Sequence, residues 1–186
     1  MYNLLVTAEE NAWEGKTYSL DISRCIRMGE YTSEDLATRF GTFTPAAIEQ
    51  LKTFPCLFAY EEYGGDPRFG FLKNIKKRAD QVIMECEYMS IDPWISVKTL
   101  HSIQGTLDIR GWELSSTHWA VKDVDLAEEL FPHGIIIPVK GPFLPLSVNP
   151  EHHLFDVAFS FPGEVRPLVE EVVVELQKKM DPNDIF

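Results

Sequence analysis

Four prolines at positions 138, 142, 145 and 150 divide this chain into two parts. A proline lacks the backbone N–H, and its ring collides with the preceding helical turn, so this segment forms neither a continuous helix nor a central strand. We therefore predict a linker or extended arm over residues 134–153, with a first domain over residues 1–133 and a second that begins at residue 154. The segment is unusually apolar for a free linker, which favours packing against one of the two domains.

The first domain has the residue patterns of an α+β fold with short elements. Residues 81–88 alternate between apolar and polar or exposed-type side chains, as in a strand with one buried face, and residues 68–75 form a second strand that pairs with it. Short helices are predicted after the N-caps Ser33 and Thr44, over residues 96–103, and from Val124 to about Gly134. The sum is a small mixed domain in which antiparallel strands form a curved sheet or partial barrel, with short helices packed on it.

Composition favours a globular protein in the cytoplasm. Hydrophobic residues make up 45% of the 186 residues and charged residues 25%, which is usual for such proteins. No apolar run approaches the roughly 18 residues that a membrane helix needs. The N-terminus lacks the basic and apolar regions of a signal peptide. We expect a cytoplasmic location and no membrane partner.

The charge of the chain bears on its partners. A formal net charge of -12 repels phosphate backbones at long range, so nucleic-acid binding is not expected. The basic cluster from Lys73 to Arg78 lies where two predicted strands meet, and an exposed hairpin tip explains it better than a phosphate site. The alternative, a nucleic-acid-sensing module, predicts binding that weakens steeply with salt.

Metal and cofactor motifs are lacking in the sequence. The three cysteines are scattered, which indicates neither a zinc site nor a disulfide framework. The histidines occur in none of the spacings that bind zinc, and the sequence has no glycine-rich phosphate loop. We therefore predict no metal and no cofactor in this chain.

The densest group of polar and aromatic side chains lies in residues 112–125. Its tryptophans, histidine, hydroxyls and acids have the composition of a ligand pocket, with aromatic walls and a few polar groups that orient the ligand. The candidate ligand-binding residues are Trp112, His118, Trp119 and Asp123. No nucleophile or catalytic group is predicted in the chain.

A purely structural interpretation of the same residues is also open. On a strand, Thr117, Trp119 and Val121 face one side and His118 faces the other, so a core tryptophan and a hydrogen-bonded histidine explain them. Asp123 would then cap the helix that begins near Val124.

The C-terminal part has the pattern of a βα unit. Residues 155–161 are apolar almost throughout, as in a buried strand, and Pro162 and Gly163 end the run. Apolar residues then recur at helical spacing to about residue 180, opposite a charged face. So few residues cannot close the core of an open α/β sheet.

The run Phe155-Asp-Val-Ala-Phe-Ser-Phe161, followed by Gly163-Glu164 and an amphipathic helix, resembles the opening of bacterial Toll/interleukin receptor (TIR) domains. Pro162 and Val165 depart from the family pattern, in which a small and an acidic residue are usual. The resemblance covers residues 154–186, about a sixth of the chain.

This resemblance implies a flavodoxin-like sheet and, in many prokaryotic members, cleavage of NAD at the nicotinamide–ribose bond. The family's catalytic glutamate lies far downstream of these elements. In a completed TIR domain the strand-end loop would border the NAD pocket, through Ser160, Phe161, Gly163 and Glu164. NAD is then a substrate of the longer protein, and no cofactor is expected in this chain.

Two function classes follow. In the first, residues 1–133 sense a small-molecule or protein cue and control a TIR effector in bacterial signalling or antiviral defence, with self-association through the TIR portion. In the second, the first domain is an independent enzyme in which His118 acts as an acid or base with Asp123 or Asp125. The sequence offers no nucleophile or metal to complete that site.

Overall fold

The computed structural model describes residues 1–138, 166–177 and 179. The chain separates into two compact units, residues 1–137 and 138–186. The predicted strand at 155–161 and the candidate residues Ser160, Phe161, Gly163 and Glu164 lie outside the described residues.

A six-stranded mixed sheet forms the centre of the first unit. The strands are β1 (Tyr2–Thr7), β2 (Thr17–Asp21), β3 (Pro55–Tyr60), β4 (Arg68–Arg78), β5 (Gln81–Met89) and β6 (His118–Lys122). Their order across the sheet is β2-β5-β4-β3-β1-β6. The sheet is open, with β2 and β6 at its edges, and does not close into a barrel, whereas the predicted α+β class with short helices is confirmed.

One pair of neighbouring strands, β1 and β3, is parallel. β1 runs alongside β3, with Thr7 opposite Tyr60, whereas each of the other four pairs of neighbouring strands is antiparallel. Every residue of β1 is buried, as expected of a parallel strand that is covered on both faces. The prediction of an antiparallel sheet is therefore correct for these four pairs and wrong for β1 and β3.

The helices of the first unit are short, and the first two begin directly after Ser33 and Thr44, as predicted. They are α1 (Glu34–Phe40), α2 (Pro45–Leu51), α3 (Val97–Ile103) and α4 (Leu126–Leu130). The Thr44 hydroxyl accepts a hydrogen bond from the Ala47 N–H at 3.2 Å, and Ser96 similarly caps α3. The N-cap of α4 is Asp125 and not Asp123, because the Asp125 carboxylate accepts from the Ala127 and Glu128 N–H groups.

Hydrophobic layers cover both faces of the sheet. On the first face, Leu5, Phe58 and Trp119 pack with Trp13 and with the apolar sides of α1 and α2. On the second face, the alternate strand residues pack with α3, α4 and the segment between Leu107 and Leu114. These are the first-face layer and the second-face layer.

The predicted hairpin of β4 and β5 is confirmed, with a correction to its basic residues. The two strands pair as far as Arg78 and Gln81, so Ala79 and Asp80 form the turn. Residues 73–78 therefore belong to the strand and not to the tip. A register shift lies between Leu72 and Asn74, which makes a β-bulge at this point.

Gly70 of β4 lies close against the backbone of β5. A Cβ atom built at this glycine would collide with the backbone carbonyl of Glu87 on the neighbouring strand. Only a residue without a side chain fits this pairing.

The first unit extends beyond the predicted boundary at residue 133. Ile135 and Ile137 are buried in the second-face layer, so the start of the predicted linker packs on the first domain. In the second unit, the predicted helix is confirmed as α5 (Arg166–Gln177). Val173 is buried there, whereas Val172 is 42% exposed although the sequence pattern predicts it in the apolar stripe. Among the described residues, no helix combines the length and apolarity needed to cross a bilayer.

Candidate functional site

The carboxyl ends of β1 and β3 lie side by side, and the loops that follow them leave toward opposite faces of the sheet. After β1 the chain enters a 3₁₀ turn whose Trp13 is buried in the first-face layer. After β3 it enters another 3₁₀ turn whose Tyr63 packs on the second-face layer. Where adjacent parallel strands send their connections to opposite faces, the diverging loops leave a crevice, which is the usual ligand site of open α/β sheets.

A cavity of about 600 Å³ occupies this crevice. Its volume is within the range of roughly 300–1,000 Å³ that is usual for small-molecule sites. Both loops and both strand ends contribute to its walls, which are formed by Thr7, Ala8, Glu10, Asn11, Tyr60, Glu61, Glu62, Gly64 and Gly65.

The loops on both sides of the cavity contain backbone in the left-handed region. Asn11 has a φ of 61° and Glu62 a φ of 50°, and Tyr63 follows with 57°. Residues other than glycine rarely adopt these angles, which persist only where the surrounding structure holds them. Gly65 lies against the Tyr60 ring, and a Cβ there would be 3.1 Å from Cδ2.

Thr117, just before β6, ties the two loops together. Its hydroxyl oxygen accepts a hydrogen bond from the Ala8 N–H at 3.1 Å, and the same hydroxyl donates to the Glu61 carboxylate. Because Ala8 follows β1 and Glu61 follows β3, one side chain connects both walls of the cavity. We call this arrangement the Thr117 clasp.

Further hydrogen bonds fix the floor of the cavity. The Thr7 hydroxyl lies 2.8 Å from the Tyr18 hydroxyl and accepts from the Glu9 N–H at 3.1 Å. The Trp13 indole donates to the Ala59 carbonyl at 2.9 Å. Burial raises the pKa of Tyr18, and the carboxylates of Glu9 and Glu61 add to that shift while the bond to Thr7 opposes it. These bonds hold the ends of β1 and β3 in place beside the cavity.

The described walls carry acidic and no basic side chains. Glu10, Glu61 and Glu62 line the cavity together with Thr7 and Tyr60. Such a lining offers hydrogen-bond acceptors and a negative potential to whatever enters. Among the described residues, no cluster of three or more His, Cys, Asp and Glu has the arrangement to hold a metal ion.

A second polar feature lies within the fold, beneath the second-face layer. Glu113, in a 3₁₀ turn, forms an ion pair with Lys122 of β6, with 2.8 Å from Oε1 to Nζ. Its carboxylate is also 3.2 Å from His118 Nε2 and accepts from the Arg110 N–H. Burial alone would raise the pKa of Glu113, but the hydrogen bond with His118 and the charge of Lys122 outweigh it and lower the pKa.

The rest of this cluster is equally well satisfied. His118 Nδ1 lies 2.7 Å from the Ser116 carbonyl, and the Tyr31 ring stacks on the imidazole with 3.8 Å between centroids. Lys122 also donates to the carbonyl of Asp108 at 2.7 Å. The side chains of Glu113, His118 and Lys122 are at most 3% exposed. The cluster is therefore a closed internal network that a ligand cannot reach.

The four predicted ligand-binding residues do not form one site. His118 is buried in the internal network, and Trp119 is buried on the opposite face of the sheet, where its indole donates to the Asn3 side chain at 3.1 Å. Trp112 is 50% exposed at the surface and lies 5.5 Å from Tyr31 between ring centroids. Asp123 is exposed just after β6. The alternation of His118 and Trp119 across the strand is as predicted.

Sequence reasoning missed the cavity because both of its loops have ordinary turn composition. The acidic segment after β1 and the Gly64-Gly65-Asp66 segment each have the residues of a simple turn. A signal was present in two short runs at 2–6 and 56–59 that are apolar except for Asn3, a composition typical of buried parallel strands. Placing them side by side would have brought the two turns together.

Comparison of the chain with protein-family models, with characterised proteins and with solved structures found no match. Function is therefore inferred from the geometry of the first unit and from the resemblance of residues 154–186.

Proposed function

We propose that residues 1–137 form a recognition domain that binds a small polar ligand in the cavity at the carboxyl ends of β1 and β3. The observation that carries this proposal is the divergence of the two loops from adjacent parallel strands. It gives the cavity a volume of about 600 Å³ and a position at which open α/β sheets bind their ligands. The Thr117 clasp supports the proposal, because a ligand that displaces it would alter both loops at once.

The domain would act as the regulatory part of a bacterial TIR-domain protein in signalling or antiviral defence. The resemblance of residues 154–186 to the first strand and helix of a TIR domain supports this part, and the helix α5 at the expected place is consistent with it. In a protein whose TIR domain is complete, ligand binding would then control cleavage of NAD. Self-association through residues 154–186 belongs to the same proposal, because TIR activity requires assembly in this hypothesis.

Ligand binding in the cavity can be tested with a substitution that fills it. Ala8 lines the cavity and is exposed to it, so Ala8→Phe places a ring in the ligand space. Ala46→Phe on α2 is the matched control, since Ala46 is exposed and is not part of the cavity lining. A set of small polar metabolites is screened by thermal unfolding of the full chain, because a ligand that binds only the native state raises the Tm.

We expect at least one compound to raise the Tm of the wild-type and Ala46→Phe proteins and to leave Ala8→Phe unchanged. An equal shift in all three would place binding elsewhere and refute this site. No shift with any compound would refute a small-molecule recognition function.

The TIR part is tested separately by the intact mass of the protein from its native source and by NAD turnover. A mass well above 21.3 kDa together with NAD cleavage that responds to the ligand would support the proposal. A mass equal to this chain, or a larger protein without NAD cleavage, would refute the effector part and leave the recognition domain standing.

An acid–base enzyme centred on His118 has less support from the geometry. The imidazole is fully buried and contacts Glu113 and Tyr31, whereas Asp123 is exposed and Asp125 caps α4. Turnover of a substrate by this chain that is lost in His118→Gln but kept in Asp125→Asn would favour it.

A further inference from the structure

We propose that the outer half of β4, residues Leu72–Arg78, is a docking edge at which an acidic, extended segment of a partner protein adds as a further strand. This surface lies apart from the cavity and would give the domain a protein partner in addition to its ligand. Three features of β4 support this proposal. One side of the strand has no neighbouring strand, the strand is held in place by the core and by β5, and it carries a concentration of positive charge.

The first feature is the unpaired side of the strand. β4 is 11 residues long, but β3 pairs only with its first four, from Arg68 to Phe71. From Leu72 to Arg78 the strand has β5 on one side and, among the described residues, no strand on the other. Such a side presents backbone N–H and C=O groups that a further strand can satisfy.

The second feature is that this edge is already held in strand geometry. Leu72 and Ile75 are buried in the first-face layer, and β5 pairs with β4 up to Arg78. A partner segment would therefore meet a formed template, without the entropic cost of ordering it.

The third feature is the concentration of positive charge. Five of the 17 Lys and Arg residues of this chain lie on β4. Lys76 and Arg78 point to the second face, opposite Ile75, and the register places Ile83 and Gln81 beside them. Within the described part of the chain, neither cation has an ion-pair partner, whereas Lys73 lies 3.8 Å from Glu85.

The charges of Lys76 and Arg78 determine which kind of segment can pair with this edge. Opposite charges on neighbouring strands stabilise the pair and like charges oppose it. A segment with Glu or Asp at alternate positions would place those carboxylates beside Lys76 and Arg78, with apolar side chains on the face of Ile75. Another copy of β4 would bring lysine against lysine, so the same cations exclude pairing between copies.

A peptide fits this edge better than a nucleic acid does. The net charge of -12 repels a long polyanion as it approaches, whereas a short acidic strand meets the local cations. Only a peptide can also pair with the backbone of the edge.

The probe is an acetylated and amidated octapeptide of alternating Val and Glu, titrated against the full chain and followed by amide chemical shifts. We expect the largest shifts at residues 72–78. Lys76→Gln/Arg78→Gln should weaken binding about tenfold, from the loss of two opposite-charge pairs. The matched control, Arg39→Gln/Lys98→Gln, removes two exposed cations from helices and should change the affinity less than about twofold.

Two further probes separate strand addition from simple charge attraction. The same peptide with alternate backbone nitrogens methylated keeps its charge but cannot pair, so it should not bind. Single-stranded DNA of equal charge should bind more weakly than the peptide. The proposal is overturned if no peptide binds, if the methylated peptide or a Val-Lys peptide binds as well, if DNA binds equally, or if Lys76→Gln/Arg78→Gln has the affinity of wild type.

Discussion

Glu113 and Lys122 form an ion pair inside the fold, with 2.8 Å between Oε1 and Nζ and at most 3% exposure of either side chain. The pair joins the 3₁₀ turn at Glu113–Ser115 to the edge strand β6. A second contact from the same ammonium reaches the other carboxylate oxygen at 2.9 Å. The segment between α3 and β6 is therefore attached to the sheet by buried charge as well as by apolar packing.

Removal of one partner of this pair should be costly. In Lys122→Met the Glu113 carboxylate keeps its place but loses its counter-charge, and an unpaired buried charge costs about 3–5 kcal/mol in the free energy of unfolding. The double variant Glu113→Gln/Lys122→Met removes both charges and should lose less than Lys122→Met alone. Urea unfolding of wild type, Lys122→Met and the double variant measures these differences in the free energy of unfolding. Equal stability of wild type and Lys122→Met would show that the pair is not buried in solution.

The same pair predicts a pH dependence. The pKa of Glu113 is lowered in the folded protein, because the hydrogen bond with His118 and the charge of Lys122 outweigh burial. A lowered folded pKa gives stability that is present above the unfolded pKa of about 4.3 and is lost as the pH falls through the folded pKa. The free energy of unfolding should therefore fall with acidification below about pH 4.5.

The variant Glu113→Gln isolates this contribution from the other carboxylates of an acidic chain. The difference in unfolding free energy between wild type and Glu113→Gln should shrink as the pH falls. Thr42→Ser, at an exposed position, changes no titratable group; it is the control and should differ from wild type by a constant amount. A constant difference for Glu113→Gln as well would contradict the assignment.

Gly70 should be intolerant of substitution. A Cβ at this position collides with the Glu87 carbonyl, so Gly70→Ala must separate β4 from β5, at a cost of about 3 kcal/mol if it resembles other overpacked sites. Gly105→Ala is the matched control, because a Cβ added there would have no neighbour within 4 Å. Thermal unfolding should show a large drop in Tm for the first variant and little change for the second.

The two tryptophans of the 112–125 segment should behave differently on truncation. Trp119 is buried against Phe43 and hydrogen-bonded to Asn3, so Trp119→Ala should cost about 3–5 kcal/mol in unfolding free energy. Trp112 is 50% exposed, so Trp112→Ala should cost under about 1 kcal/mol. Urea-induced unfolding of wild type, Trp119→Ala and Trp112→Ala measures these losses in stability. Similar losses at the two positions would mean that the tryptophans do not differ in burial as described.

The sequence predicts the local elements of this fold well. Ser33 and Thr44 directly precede α1 and α2, and the Thr44 hydroxyl accepts from the N–H three residues later, so each helix start is marked close to it in the chain. The β4–β5 hairpin is predicted from the alternation of apolar and polar residues in β5 and from the short turn that separates the two strands in the chain. Each of these signals is contained in a short stretch of consecutive residues.

The parts that sequence reasoning missed depend on distant pairing. Thr7 and Tyr60 are far apart in the chain and become neighbours only when β1 and β3 pair in parallel. Their loops, the cavity and the Thr117 clasp all follow from this one pairing, which no local pattern specifies. Likewise, the polar residues Glu113 and Lys122 show no sign of burial until the fold brings each to the other.

Loss of the Thr117 hydroxyl should loosen the loop after β1. Thr117→Val has nearly the same shape but can neither accept from the Ala8 N–H nor donate to Glu61. We expect a loss of about 1–2 kcal/mol in unfolding free energy and, more specifically, faster hydrogen exchange at the Ala8 amide. Thr117→Ser keeps the hydroxyl and should restore the protection of that amide. Residues of the β4–β5 hairpin, on the far side of the sheet, should exchange at the wild-type rate in both variants. If the Ala8 amide exchanges equally fast in Thr117→Val and wild type, the two loops are not tied by this side chain, and displacement of the clasp cannot be how a ligand in the cavity alters them.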